Sequence, residues 1–259
     1  MRILSYLLLI LGLVACNSKP DPNVLTVGTI AGPETELIET AKEVAEKEHG
    51  LKIKIVEFND YNLPNEALED GSLDANVFQH LPYLKASILT HGYNLQAIGR
   101  TFVYPMGIYS KKYKTLSDLP KNGIIAVPND PSNEMRAFIL LEKAHLITLK
   151  NTTNSGIQDI ASNPKQLKFK ELDAAQLPRV LQDVDAAVIN TTFALPAGLS
   201  PSKDALFTEG SDSPYANIIV IRKDSKKRPQ LDLFVKSLNS DAVKQKAKEL
   251  FGDDAIPAW

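Results

Sequence analysis

From Val24 onward the chain switches repeatedly between two hydrophobic periods. Residues 24–30 form a largely apolar run of buried-strand length. Gly32-Pro33 then opens a helical pattern whose stripe is Leu37, Ala41, Val44 and Ala45, and His49-Gly50 closes it. Leu51, Ile53 and Ile55 alternate with Lys52 and Lys54, the period-two signature of a second strand with one wet face. Pro64 opens a short helix ending at Gly71, 74–78 reads as a short strand, Pro82 opens a helix that Gly92 ends, and a further strand begins over 95–99. Strand patterns follow at 101–110, 124–127, 168–172, 186–189 and 215–221, with a helix over about 133–144. The chain ends in two helical patterns, 231–238 and 242–251. This alternation predicts an α/β fold: mostly parallel sheets with helices on both faces, and ligand crevices outside the carboxyl ends of the strands.

The segment before this body reads differently. Residues 3–15 are apolar but fall short of the ~20 needed to cross a bilayer; they follow Arg2 and give way to Asn17-Ser18-Lys19, so 1–15 reads as a signal peptide. The only cysteine, Cys16, closes Leu13-Val14-Ala15-Cys16, a spacing that resembles a lipoprotein processing site. The expectation is a lipidated N-terminus at Cys16, with 16–23, polar and broken by prolines, as a short tether. With no second cysteine, the fold must rest on packing.

Charge and motifs then remove several function classes. Twenty-nine basic and 31 acidic residues are interspersed, for a formal charge of −2, which leaves no basic face for nucleic acid. The cluster Lys223, Lys226, Lys227, Arg228 precedes Pro229 and a helical pattern and reads as a solvated loop. There is no G-x-S-x-G, no H-E-x-x-H, no phosphate loop and no dinucleotide fingerprint. His49, His80, His91 and His145 lack metal-ligand spacing. The reading is of a protein that is not an enzyme and holds no metal or cofactor. What accumulates at predicted strand ends is aromatic and amide-rich sequence: Phe58-Asn59-Asp60-Tyr61-Asn62-Leu63-Pro64-Asn65, and the block from Asp74 through Phe78-Gln79-His80 to Tyr83. Tyr61, Phe78, His80 and Tyr83 suit an apolar slot with polar tips, the makeup of a small-ligand pocket; plain core aromatics would leave the same composition.

Long ordered matches carry a more specific reading. Asn59-Asp60-Tyr61, Leu63-Pro64-Asn65-Glu66-Ala67-Leu68, the block from Asp74 to Tyr83, Thr101-Phe102-Val103-Tyr104-Pro105, Ala126-Val127-Pro128-Asn129-Asp130-Pro131, Val188-Ile189-Asn190-Thr191-Thr192, Ser213-Pro214-Tyr215 and the terminal Trp259 span the body of the chain. In these the chain resembles the NlpA family of substrate-binding lipoproteins.

The resemblance implies a two-lobed periplasmic-binding-protein fold of type 2 that closes around one amino acid, methionine or a relative of it, in the cleft between lobes. It implies crossings near Tyr104-Pro105 and Ile221-Arg222, so that 24–104 and 221–259 form the first lobe and 105–220 the second. It assigns Arg136, at the start of a second-lobe helix behind Asn133, to the ligand carboxylate, where a guanidinium fork and a helix N-terminus both favour an anion. Asn190 and Asn217 match positions that bind the ligand's amino and carboxylate groups. Tyr61, Phe78, His80 and Tyr83 match the wall around its side chain, where rings suit a thioether. Glu134-Met135 departs from the family's smaller residues between Asn133 and Arg136. The implied role is delivery of the amino acid to an ABC permease driven by a separate ATPase, from a membrane-anchored position facing the periplasm. A surface lipoprotein with an adhesion or interaction role is the alternative.

Overall fold

The computed structural model describes residues 23–150, 156–210 and 213–259; the expected signal peptide and Cys16 lie outside the described residues. The strands are β1 (Val24–Ile30), β2 (Lys52–Phe58), β3 (Ala75–His80), β4 (Leu95–Val103), β5 (Gly107–Tyr109), β6 (Ile124–Pro128), β7 (Thr148–Leu149), β8 (Ile160–Ser162), β9 (Lys168–Leu172), β10 (Ala186–Ile189), β11 (Phe207–Thr208), β12 (Ala216–Arg222) and β13 (Ile256–Pro257). The α-helices are α1 (Pro33–His49), α2 (Leu63–Glu69), α3 (Leu81–His91), α4 (Pro131–Lys143), α5 (Leu177–Val180), α6 (Thr191–Ala194), α7 (Pro201–Asp204), α8 (Arg228–Leu238) and α9 (Asp241–Phe251). None of the described helices is long and apolar enough to cross a membrane.

Two sheets carry the architecture. The first runs β13-β4-β12-β3-β1-β2 and the second β11-β5-β10-β6-β9, with β7 and β8 paired separately. In the first, β1 is parallel to both β2 and β3, while β12 lies antiparallel between β3 and β4. In the second, β10, β6 and β9 are parallel, and β5 opposes β10 and β11. The cause of the mixed direction is the path of the chain. β4 runs out of the carboxyl end of the first sheet and feeds β5, which enters the second sheet from that same end and so runs against its neighbours. β12, on the way back, does the same to the first sheet. The apolar pattern over 101–110 accordingly breaks into the end of β4, a crossing at Tyr104-Pro105-Met106, and β5.

The return crossing differs from the expectation. β12 already belongs to the first sheet along its whole length, so the chain returns between Thr208 and Ala216 and not at Ile221-Arg222. Packing explains the position: Ile219 and Ile221 face the core under α1, α8 and α9, and Ile218 and Val220 face the core under α2 and α3. A strand buried on both faces needs a two-sided core, and these residues find it in the first sheet. The second sheet repeats the arrangement, with Ile108, Ile125 and Val188 against α4, and Tyr109, Ala126, Ala187 and Ile189 on the opposite face with Leu177 and Ala194.

Local signals behave as their chemistry requires. Pro33 sits in the first turn of α1, Leu37, Ala41 and Ala45 are buried while Val44 is only partly so, and Gly50 ends the helix at φ 62°, a left-handed conformation open to glycine. α4 starts at Pro131, two residues before the sequence suggests, because the Asp130 carboxylate caps it by accepting from the Asn133 backbone N–H at 3.0 Å. Just past the first crossing, a Cβ on Gly107 would lie 2.8 Å from the buried Tyr109 ring. Gly107→Ala is expected to overpack this point and cost about 1–3 kcal/mol, read as a lower urea midpoint at unchanged slope.

Candidate functional site

All eight residues expected at a binding site line one small cavity: Tyr61, Phe78, His80, Tyr83, Asn133, Arg136, Asn190 and Asn217. Topology places it. Phe78 and His80 end β3, Tyr61 follows β2, Asn133 and Arg136 lie on the helix after β6, Asn190 directly follows β10, and Asn217 stands where β12 enters the first sheet. Gln79, Tyr104, Thr191 and Thr192 also line it.

One wall is aromatic. Tyr61 lies 5.7 Å from Phe78 and 5.9 Å from Tyr83, ring centre to ring centre, and the Tyr83 hydroxyl donates to the Tyr61 carbonyl at 2.8 Å. Burial drives both phenols well above their ordinary range, so they stay neutral. Phe193, on α6 of the second sheet's side, packs 4.8 Å from Tyr61 and closes the wall from across the cleft. Behind the wall, Asn65, Asn76 and Gln79 form a buried amide cluster: Asn65 Nδ2 donates to Gln79 Oε1 at 3.0 Å and Asn76 Nδ2 to the Pro64 carbonyl at 3.0 Å. That cluster ties β3 to α2 and explains why the stretch around it is so rich in amides.

The opposite wall is polar, and its hydrogen atoms can be assigned. His80 Nδ1 accepts from the Tyr83 backbone N–H at 3.2 Å, capping α3, so the ring proton sits on Nε2 and donates to Asn133 Oδ1 at 3.2 Å. Burial, reinforced by the nearby Arg136 charge, holds the His80 imidazole down at about 3, and the ring is neutral. Asn133 Nδ2 is committed to Asp130, and Asn133 Oδ1 also accepts from Asn190 Nδ2 at 2.9 Å. This leaves Asn190 Oδ1 buried with no hydrogen-bond partner.

Arg136 departs from its expected geometry. It lies in the second turn of α4, with Asp130 at the helix N-terminus, and its fork is already engaged. Nε donates to Glu209 Oε1 at 2.8 Å, while Nη2 donates to Glu209 Oε2 at 2.5 Å and to the Tyr104 carbonyl at 2.9 Å. The Tyr215 ring stacks 4.4 Å from the guanidinium carbon. Burial works against the Arg136 charge, but Glu209 more than restores it; burial likewise pushes the Glu209 carboxyl up, and Arg136 brings it below the usual carboxylate range. Nη1 alone is without a hydrogen-bond partner among the described residues and remains for a ligand. Glu209 is an isolated acid in a loop with no signal in the sequence. Thr191 and Thr192, by contrast, sit inside the motif that carries Asn190, and Phe193 directly follows it.

Two α/β lobes with a cleft at their strand ends, lined by rings on one side and fixed polar groups on the other, are the architecture of the periplasmic substrate-binding proteins that serve ABC transporters. A family model for NlpA lipoproteins matches residues 25–259, and the chain belongs to that family. It is 46% identical to the D-methionine-binding lipoprotein MetQ of Escherichia coli K12 over 254 residues, which cover 96% of this chain and 94% of that one. Among solved structures, a periplasmic substrate-binding protein of an ABC transporter from Coxiella burnetii is 62% identical at a TM-score of 0.88, covering 90% of this chain and all of the other. A nutrient-binding protein from Burkholderia cenocepacia bound to methionine is 49% identical, also at 0.88, covering 91% of this chain and all of that one.

Two outcomes test the site's electrostatics. Glu209→Gln is expected to lower stability by about 3 kcal/mol by leaving a buried guanidinium unpaired, and the apolar double variant Arg136→Met/Glu209→Met to recover most of that loss in urea unfolding. The low folded value of His80 means that the unfolded chain binds the extra proton. Stability is therefore expected to fall as pH drops from 6.5 toward 3, at up to about 1.4 kcal/mol per pH unit from this group. His80→Gln is expected to flatten that part of the acid-unfolding curve.

Proposed function

We propose that this chain is the lipid-anchored substrate-binding protein of an ABC importer, taking methionine or a close relative into the interlobe cleft and handing it to a permease powered by a separate ATPase. The observation that carries the reading is the two-sided cavity. Tyr61, Phe78 and Tyr83 offer a sulfur-bearing side chain contacts worth about 0.3–1.5 kcal/mol each, and the other wall presents Arg136 Nη1 to a carboxylate and the orphan Asn190 Oδ1 to an ammonium. The similarity to a protein bound to methionine supports the same ligand. The lobes are 24–104 with 216–259, and 105–215, closing about the two crossings. Cys16 is the lipid attachment point, and the body faces the periplasm. Because relatives are named for D-methionine, both enantiomers are candidate ligands.

Isothermal titration of the purified body with L- and D-methionine, together with mass spectrometry of small molecules released on denaturation, tests this. Saturable one-to-one binding of methionine is expected. Arg136→Lys, which keeps charge but loses the planar fork, is expected to weaken binding at least about tenfold, or 1.4 kcal/mol. Release of a different compound, with no response to added methionine, would replace the ligand assignment.

A further inference from the structure

Glu34 is a buried carboxylate beside the cavity. It stands in the first turn of α1, only 5% exposed, and does not itself line the cleft. One carboxylate reaches two groups that do. Its Oε1 accepts from Thr192 Oγ1 at 2.5 Å, across from the second lobe, and its Oε2 accepts a long hydrogen bond from Asn217 Nδ2 at 3.4 Å, within the first.

The consequence lies in the direction of these bonds. With its proton turned to Glu34, the Thr192 hydroxyl shows the cavity only lone pairs. With one N–H of its NH₂ turned to Glu34, the Asn217 amide directs its Oδ1 away from the carboxylate. Asn190, whose NH₂ is committed to Asn133, adds a third acceptor in Oδ1, which is buried and unpartnered. These three oxygens line the cavity from two lobes, and an ammonium group, with three donors and no acceptor, is their complement. Lone Thr and Asn side chains could turn either end to a ligand; Glu34 removes that choice.

We infer that Glu34 is a positioning residue that, through Thr192 and Asn217, sets this corner of the cleft as an acceptor-rich subsite for a primary ammonium and supplies the negative charge behind it. The inference rests on the proposed binding of an amino acid and extends it to how the amine is read. Burial pushes the Glu34 carboxyl up to about 7, against the two hydrogen bonds that favour its ionised form, so an arriving cation tips it toward the carboxylate. The titratable groups facing it are the phenols of Tyr61 and Tyr104, both kept neutral by burial. β12 and α6 present only the amide and hydroxyl already named, α8 presents Leu238, and the α9 ion pair with α1 is Lys246 to Glu36. Glu34 also lines a second small cavity with Thr29, whose Oγ1 is buried and unpartnered, so its far side is not wholly hydrocarbon.

The test compares methionine with its 2-hydroxy analogue, which keeps the thioether and carboxylate and lacks the amine, by isothermal titration at pH 5.5 to 8.5. In the wild type, methionine affinity is expected to fall by up to about tenfold per pH unit below 7 and to level off above it, with protons released on binding; the hydroxy analogue is expected to show neither. Glu34→Gln should weaken methionine at pH 8 by about ten- to a hundredfold, change the analogue less than about threefold, and flatten the pH profile. Thr192→Val, close in size, should show the same selective loss, and thermal melting of both variants checks that they are folded. Equal loss for both ligands, or an unchanged methionine affinity and pH profile in folded Glu34→Gln, would overturn the role of Glu34 and leave the ligand assignment standing. Failure of the wild type to bind methionine would overturn both.

Discussion

The buried pair of Arg136 and Glu209 is the interaction on which the geometry of this molecule turns. Two charges taken out of water are tolerated only when each is paired and its remaining hydrogen-bonding groups are satisfied. Here the satisfying partners are the two chain crossings: Arg136 takes the Tyr104 carbonyl, and Glu209 takes the Met106 backbone N–H at 2.9 Å and the Ser213 hydroxyl at 3.2 Å. One electrostatic requirement thus holds α4, both inter-sheet connections and the floor of the cleft in register. The residue proposed to meet a ligand carboxylate thus also fixes, directly and through Glu209, the backbone at both crossings.

From that floor outward the cleft obeys a rule of polar accounting. His80 is fixed as a donor to Asn133 because its other nitrogen caps α3, Asn133 is fixed because its amide nitrogen is spent on Asp130, and Asn190 is fixed because its own nitrogen is spent on Asn133. Each commitment forces the next, and the sequence of them ends on an acceptor with nothing to accept from. Preorganisation here means that the polar ends of the amides are decided before any ligand arrives.

Much of this was legible in the residues, and what was not has a physical cause. Alternating strand and helix periods located the long strands and helices of both lobes, because burial on one or both faces writes itself into every second or every third to fourth position; the two- to four-residue elements such as β7, β8, β11, α5, α6 and α7 are too short to show a period. That Tyr61, Phe78, His80 and Tyr83 gather around one cavity was legible because rings and amides cluster at two strand ends; that His80 joins its polar side was not. The return of the chain was not: an apolar run such as 215–221 reads the same in either sheet, and only the cores that receive Ile218 to Ile221 decide between them. Nor were Glu34 and Glu209. A first-turn acid after proline is ordinary complementation of a helix dipole, and a single acid in a loop carries no pattern; both acquire meaning from partners 158 and 73 residues away. Arg136 was found through its motif, yet its companion was invisible, so its free donors were overestimated.

The antiparallel placement of β12 reaches into how the molecule is made. Every strand of the second sheet comes from one unbroken stretch, 107–208, which can pair within itself as soon as it is available. The first sheet has no such independence: β3 and β4 have no partner edge between them until residues 216–222 arrive from beyond the other lobe. The earlier-synthesised half is therefore the later one to be finished, holding open strand edges of the kind that invite pairing with other chains. The inserted lobe, not the one at the N-terminus, is the one whose sheet is complete within a contiguous stretch of chain.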